Sequence, residues 1–529
     1  MRALTGVAVG VALAILAVAV ARFARDHWGG VYDDAFIYLR YVKNLDAGCG
    51  LRFNCGDPPV EGFTGPLYLA VLWLGGRFTA QLIDLAQITC TASLALALAL
   101  AVWAAVVAGR QTAQPRLPAV LAVSVAAALA LDPFALLNAI TGMETALAAA
   151  AVTAIALAAL AGRRWLLVAA IGGALLVRPE TLVFAAALPI LPAMRRPRTL
   201  VAMAAIIAAI CAARYAVFGA LLPNTYYAKA GGSWRHCELG LAYLAGAIAD
   251  FPLAFAAPLA LLLPAAPRRA AGFVLAGAAA WVAFFLRSGG DLFDYSRMMF
   301  PLVPALSVLA LAGIAELARR LAARTRWARH AALAGALAAA TCALAAGGRA
   351  AVVHAIPPQG ASPRVVEWAA VGRYLRAHFR GATVATVPIG AIGYYSQLPI
   401  LDLVGLTEPA IARAGRTVPP ELLTQRWIGH ERHCTECVLA RAPTLIVTTM
   451  SRDQPWQTLD EARAGFYADW LLLQEIKAGR APYRVHDAEV LPGDHILMFE
   501  RVPEHGDTAS QRAEEDRREY EGTRHGGRR

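Results

Sequence analysis

The sequence predicts a polytopic α-helical membrane protein of about eleven transmembrane helices, followed by a C-terminal α/β domain outside the membrane. Three observations carry that prediction. Hydrophobic residues make up 58% of the 529 residues and charged residues only 16%, below the share of about 25% usual in soluble domains. The apolar residues gather in long runs, with positive charge concentrated in short connectors between them. Beyond about residue 360 the long runs stop, and Trp, His, charges and short β-rich stretches replace them.

Taken in order, the candidate spans are 3–22, 80–108, 117–131, 144–162, 165–178, 180–193, 199–218, 238–263, 270–287, 300–317 and 330–347. The first is longer than a signal-peptide core, so it reads as a retained anchor despite the small-residue stretch Ala17-Val18-Ala19. The runs 165–178 and 180–193 are short for a full crossing, which suits tilted, broken or protein-buried segments. The stretch TGPLYLAVLWLGG (64–76) is too short to span and is expected to lie in the interface.

Orientation follows from arginine. The connectors 109–116, 162–165, 194–198, 267–269 and 319–329 hold fourteen arginines and no acid. Short Arg-rich loops mark the cytoplasmic side, so the formal charge of +12 is a topology device, and no nucleic-acid partner is expected. Alternation then puts 23–79, the other polar connectors and everything after 347 outside, in a cytoplasmic (inner) membrane. Arg22 and Arg25 break the rule on the outer side. Within the C-terminal part, ATVATV, TLIVTTM and HILMFER read as strands, and VVEWAAVGRYLRAHF and FYADWLLLQEI as helices. That domain covers 348–503, and the charged tail 504–529 reads as disordered.

The outer connectors collect the unusual polar residues. The first holds Asp33, Asp34 and Glu61; the others hold Glu144, Arg178 with Glu180, Asn224 with Tyr226, Tyr227 and Lys229, and Asp291 with Arg297. Ionisable groups at span ends are costly unless they pair or face water, so their clustering on one face points to a site. Singly, Arg178–Glu180, or Arg297 with Asp291 or Asp294, could equally be structural ion pairs. Two adjacent acids on a helix or strand cannot both point at one atom, so Asp33 and Asp34 are expected to divide their roles.

The stretch DDAFIYLRYVKNLDAGCGLRFNCGDPPVEGFTGPL resembles the first outer loop of GT-C glycosyltransferases, in particular the terminal arabinofuranosyltransferases of mycobacterial cell walls. Its elements are Asp33-Asp34, Gly48-Cys49-Gly50, Asn54-Cys55-Gly56 and Val60-Glu61-Gly62-Phe63-Thr64. Further matches, in order, are Gly142-Met143-Glu144-Thr145, Arg178-Pro179-Glu180, the stretch from Leu222 to Lys229, Gly289-Gly290-Asp291, and the stretch from Ile400 to Thr407. The resemblance covers roughly residues 1–410.

It implies a GT-C catalytic region over 1–347 and an inverting transfer of a sugar, arabinofuranose first, from a polyprenyl-phosphate donor to a cell-envelope glycan or glycoconjugate. Mannose or another hexose, passed to polysaccharide, lipid A or protein, is the alternative. Such a reaction outside the membrane needs cations for the phosphate leaving group and a carboxylate base for the acceptor hydroxyl. Arg178, Arg214, Lys229, Arg287 and Arg297 stand near outer span ends. By the family analogy Asp33 ranks ahead of Asp34 as base, with the second acid positioning, hydrogen bonding or holding a divalent cation. The outer domain is expected to hold the acceptor. No cofactor beyond the lipid-linked donor is assigned.

The departure from the family is cysteine at 49 and 55, where a small disulfide would stiffen the loop. The cluster His430-Glu431-Arg432-His433-Cys434-Thr435-Glu436-Cys437 is too compressed for a zinc knot, and a local disulfide or plain loop is preferred, so no metal is assigned. A lipid-linked glycan transporter is the reading from another class, disfavoured because no internal repeat is visible and the polar set crowds one face.

Overall fold

The computed structural model describes residues 2–112, 114–229, 231–292, 296–322 and 362–502. The expected span 330–347, the start of the outer domain before 362 and the tail 504–529 lie outside the described residues.

Among the described residues, five helices are long and apolar enough to cross a membrane: Ala3–Asp26, Leu82–Arg110, Pro197–Phe218, Ala265–Ser288 and Phe300–Arg320. A sixth crossing is made if Trp234–Asp250 and Ala254–Leu262 count as one, but they meet at 77°. The sequence reading took 238–263 as continuous. Pro252 and Pro258 each lack an N–H and crowd the preceding turn, and the segment beyond the break is a 3₁₀ helix. Helix length therefore does not carry the count of eleven. Leu117–Ala130, Thr145–Leu160 and Arg164–Val177 are shorter apolar helices. The expected run 180–193 is a chain of short α and 3₁₀ pieces interrupted by Pro189 and Pro192. Helix Arg164–Val177 stops where it does because Arg178 precedes Pro179 and is extended, with φ −149° and ψ 124°.

Alanine sets the packing of this layer. Ala97, Ala101, Ala104, Ala105 and Ala108 of Leu82–Arg110 are buried, as are Ala146, Ala149 and Ala156 of Thr145–Leu160. Small side chains let helix backbones approach closely where lipid supplies no hydrophobic drive between them. Pro197–Phe218 is peripheral, with only 11% of its apolar window buried. Two hydrogen bonds draw Arg-rich connectors together in pairs. Gln111 donates to the Leu160 carbonyl, joining 109–116 to 162–165, and Arg320 donates to the Leu262 carbonyl beside 267–269.

The C-terminal domain is built on a five-stranded sheet. Its strands are β1 (Val384–Thr386), β2 (Ile400–Asp402), β5 (Leu445–Arg452), β6 (Tyr483–Leu491) and β7 (Asp494–Arg501), in the order β2-β1-β5-β7-β6. β1 pairs in parallel with β2 and β5; β5–β7 and β6–β7 are antiparallel. β3 (Arg416–Thr417) and β4 (Arg432–His433) form a separate two-stranded ribbon. Strands and helices stand where ATVATV, TLIVTTM, HILMFER and the two helix-like stretches placed them; β2, β3, β4 and β6 are additional.

This domain and the first loop share one apolar core. Phe36, Tyr41 and Phe53 from the loop pack in the same buried cluster as Val384, Ile392 and Ile400 from the domain. The loop that carries the acidic pair thus packs against the C-terminal domain.

Candidate active site

The acidic pair opens the helix Asp33–Asp46, where two carboxylates in the first turn favour the positive helix terminus. Consecutive residues on a helix diverge by about 100°, and the two acids accordingly have different surroundings. Asp33 accepts hydrogen bonds from the N–H groups of Ala391 (Oδ1, 2.7 Å) and Gly390 (Oδ2, 3.2 Å), at the start of helix Ile389–Ser396. Burial pushes its carboxyl up to about 7, reinforced by the neighbouring Asp34 and opposed by the two N–H groups. The Asp34 side chain is 33% exposed, and one oxygen lies 4.0 Å from Arg297 Nη1.

Two cavities meet at Asp34. One, of about 910 Å³, runs among the membrane helices and is lined by Glu144, Glu180, Tyr226, Tyr227, Lys229, Asp291 and Arg297, together with Arg287, Arg413 and Arg432. The other, of about 780 Å³, runs along the outer domain and is lined by Asp33, Arg364, Glu367, Trp368, Arg426, Trp427 and Phe466. Asp34, Ile37, Leu292, Leu406 and His430 line both.

The first cavity is lined by cations with different degrees of pairing. Arg297 is buried and pairs with Asp291 at 3.0 Å. Lys229, Arg287 and Arg413 have no carboxylate within 4.0 Å among the described residues. Arg413 instead lies 5.0 Å above the Tyr227 ring, which meets Tyr226 edge to face.

Three residues expected at the site lie behind these walls. Arg178 is buried and bridges Glu144 (3.2 Å) and Glu180 (3.1 Å), holding two cavity-lining carboxylates in place. Glu61 pairs with the buried Arg214 at 3.1 Å. Asn224 Nδ2 donates to the carbonyls of Gly405 (2.8 Å) and Leu406 (2.9 Å). Those carbonyls belong to the turn after β2, where Asp402 accepts from the N–H groups of Val404, Gly405 and Thr407 and Gly405 adopts φ +86°. Only glycine takes that conformation cheaply, and the turn delivers Leu406 to the junction. The ordered motifs of the first loop, of 222–229 and of 400–407 are therefore one interlocked assembly.

Cys49 and Cys55 form a disulfide, with Cα atoms 5.1 Å apart, and of the two readings kept for 430–437, Cys434–Cys437 is the disulfide, with Cα atoms 5.2 Å apart. Sequence reasoning missed Trp368, Trp427, Arg413 and the cavity position of His430. The first three lie after the long apolar runs, and His430 sits in a cluster read as a loop or disulfide knot. In the segment between β3 and β4 that carries His430, the adjacent Glu431 lies 3.3 Å from His236 Nε2.

A family described as a domain of unknown function (DUF8728) matches residues 359–491, within the outer domain. No curated protein matches the chain. Among solved structures, ArnT from Cupriavidus metallidurans bound to undecaprenyl phosphate is similar at 15% identity and TM-score 0.53, covering 94% of this chain and 99% of that one. Its apo state gives 14% identity and TM-score 0.52, covering 94% and 98%. The arabinofuranosyltransferase AftD from Mycobacteria gives 17% identity and TM-score 0.46, covering 96% of this chain and 40% of that one. The chain shares the fold of ArnT.

Proposed function

We propose that the protein is a membrane glycosyltransferase that moves a sugar from a polyprenyl-phosphate donor to a cell-envelope glycan, with Asp34 as the general base. The observation that carries this reading is the meeting of two cavities at Asp34, one cationic and set among apolar helices, the other aromatic and set on the outer domain. The ArnT structure of the same fold is described as bound to undecaprenyl phosphate, which supports a lipid phosphate as occupant of the first cavity. The arginine-rich short connectors, with Gln111 bonded beside 162–165 and Arg320 bonded near 267–269, support an extracytoplasmic site in a cytoplasmic membrane.

The sugar–phosphate enters the helix-lined cavity, where Lys229, Arg287 and Arg413 face the phosphate and offset the charge it gains on leaving. The acceptor lies along the outer domain with its hydroxyl at the junction. Asp34 takes the hydroxyl proton as oxygen bonds to the anomeric carbon; the bond to the phosphate oxygen breaks and polyprenyl phosphate departs, inverting the centre. Arg297, 4.0 Å from Asp34, orients that carboxylate. Asp33 was ranked first as base from sequence. Its two oxygens facing backbone N–H groups support a holding role instead, with Asp34 in its place.

Arabinofuranose is the donor sugar favoured by the motif resemblance. Membranes bearing the protein would be offered radiolabelled arabinofuranosyl, mannosyl and glucosyl polyprenyl phosphates. Transfer from the arabinofuranosyl donor alone is expected; transfer only from a hexose donor refutes the sugar, and no Asp34-dependent transfer from any donor refutes the class.

A further inference from the structure

Arg40 was not among the residues expected to matter, yet it is almost fully buried and makes four hydrogen bonds, two within the first loop and two to the C-terminal domain. Nε donates to the Phe53 carbonyl (2.8 Å), Nη1 to Gly393 (2.7 Å), and Nη2 to Leu398 (2.7 Å) and to Asn54 Oδ1 (2.9 Å). Its plane also covers the Phe53 ring at 4.4 Å. No carboxylate lies within 4.0 Å of it among the described residues. Burying a guanidinium is costly unless it is hydrogen-bonded, and two of the bonds that offset this cost go to carbonyls in and just after helix Ile389–Ser396.

Asp33 holds the other end of that helix. Positions i and i+7 lie on one face about 10 Å apart along a helix, close to the length of an eight-residue partner. The first-loop helix therefore grips Ile389–Ser396 with an anion at its N-terminus and a cation at its C-terminus, each opposite the favourable dipole end. Glycine makes the fit close. A Cβ at Gly390 would collide with the Asp33 carbonyl, and one at Gly393 would lie 2.7 Å from Arg40 Nη1. Next to the grip, Asn54 exchanges hydrogen bonds with both N–H and C=O of Ile400 in β2 (2.9 Å each), inside the loop ended by Cys49–Cys55.

We infer that Arg40 is a positioning residue, which locks the outer domain onto the first loop and thereby fixes where Asp34 stands. This rests on the proposed role of Asp34. With the lock open, Asp33 loses its partners, the first helical turn frays, and the adjacent carboxylate moves; a displacement of about 1 Å can cost about 10²-fold in rate. The lock also means that the acceptor cavity and the base form and dissolve together.

The test uses the full-length protein in membranes, with Arg40→Gln and with Gly393→Ala as a milder push on the same guanidinium. In Arg40→Gln, kcat should fall by about tenfold or more with donor KM within about threefold, the split expected of a transition-state effect. Amide exchange should quicken in both 31–36 and 389–401, and Arg40→Lys should restore part of each. Unchanged exchange overturns the inference; so does faster exchange with unchanged kcat. If Arg40→Gln does not accumulate, Gly393→Ala must show the same paired changes in smaller measure, and wild-type behaviour there overturns it. Exchange reports the lock without sugar transfer, so an inactive wild type whose exchange still quickens on substitution refutes the transferase reading and not the lock.

Discussion

Replacing each member of the acidic pair by its amide separates their roles. Asp34→Asn removes the carboxylate at the junction of the cavities while keeping its size, and Arg297 retains its 3.0 Å partner Asp291, so the wall should stand. Losing a general base costs about 10²–10⁴-fold, or about 2.7–5.4 kcal/mol at about 1.36 kcal/mol per tenfold. Asp33→Asn acts elsewhere. One oxygen becomes an amide donor facing a backbone N–H, and the charge at the start of Ile389–Ser396 is lost. That is a cost of about 1–3 kcal/mol in docking. The assay is transfer of radiolabelled sugar from a polyprenyl-phosphate donor by membranes with equal protein levels, beside a thermal melt of each purified variant. Asp34→Asn should lose turnover with an unchanged melt; Asp33→Asn should melt earlier and keep more turnover than Asp34→Asn. The opposite ranking of turnover, with both variants folded, refutes the division of labour and returns the base to Asp33.

Four further outcomes follow from the geometry. Arg178→Ala strands Glu144 and Glu180 in a buried site, a loss of about 3–5 kcal/mol, so its melt should drop sharply; a wild-type melt with raised donor KM would make it a binding residue after all. Lys229→Ala, at a cation with no carboxylate partner among the described residues, should raise donor KM about tenfold and leave acceptor KM alone, a split read by varying each substrate in turn. Cys49→Ser with Cys55→Ser opens a short loop of sequence separation 6, worth about 2 kcal/mol in chain entropy, and alkylation of the native protein should find neither thiol free. Burial pushes Asp469, in helix Tyr467–Lys477, up to about 7 from 3.8, so the folded state holds its proton more tightly than the unfolded chain. Its contribution to stability is therefore full below about pH 4 and lost as pH rises through about 7, and Asp469→Asn should flatten that part of the melt-against-pH curve.

What the sequence made legible divides along physical lines. Hydropathy and arginine placement are one-dimensional signals, so a polytopic chain with two kinds of connector could be read directly, as could the strands at ATVATV, TLIVTTM and HILMFER. Helix count could not, because hydropathy is blind to the breaks that Pro179, Pro189, Pro192 and Pro252 impose on apolar runs. The site residues were legible as a cluster and illegible as roles. Arg178, Glu61 and Asn224 have the same polar chemistry as Lys229 or Arg297, and only packing shows that the first three face protein. The ion-pair reading kept open for Arg178–Glu180 describes its contacts.

The same reasoning explains why Arg40 escaped notice while Asp33 drew attention. Inside DDAFIYLRYVKNLDAG an arginine amid apolar residues looks like an exposed charge on an amphipathic helix, because its partners are the carbonyls of residues 393 and 398, which carry no side-chain signature. A carboxylate pair, by contrast, reads as chemistry wherever it falls. Yet the acid and the arginine bind the two ends of one helix, and neither does so without the other in register. The proposed roles account for the doubled acid without two catalytic groups: one carboxylate accepts from the start of helix Ile389–Ser396 in the C-terminal domain, and because it is covalently next to the other, docking and the placement of the proposed base would become a single event.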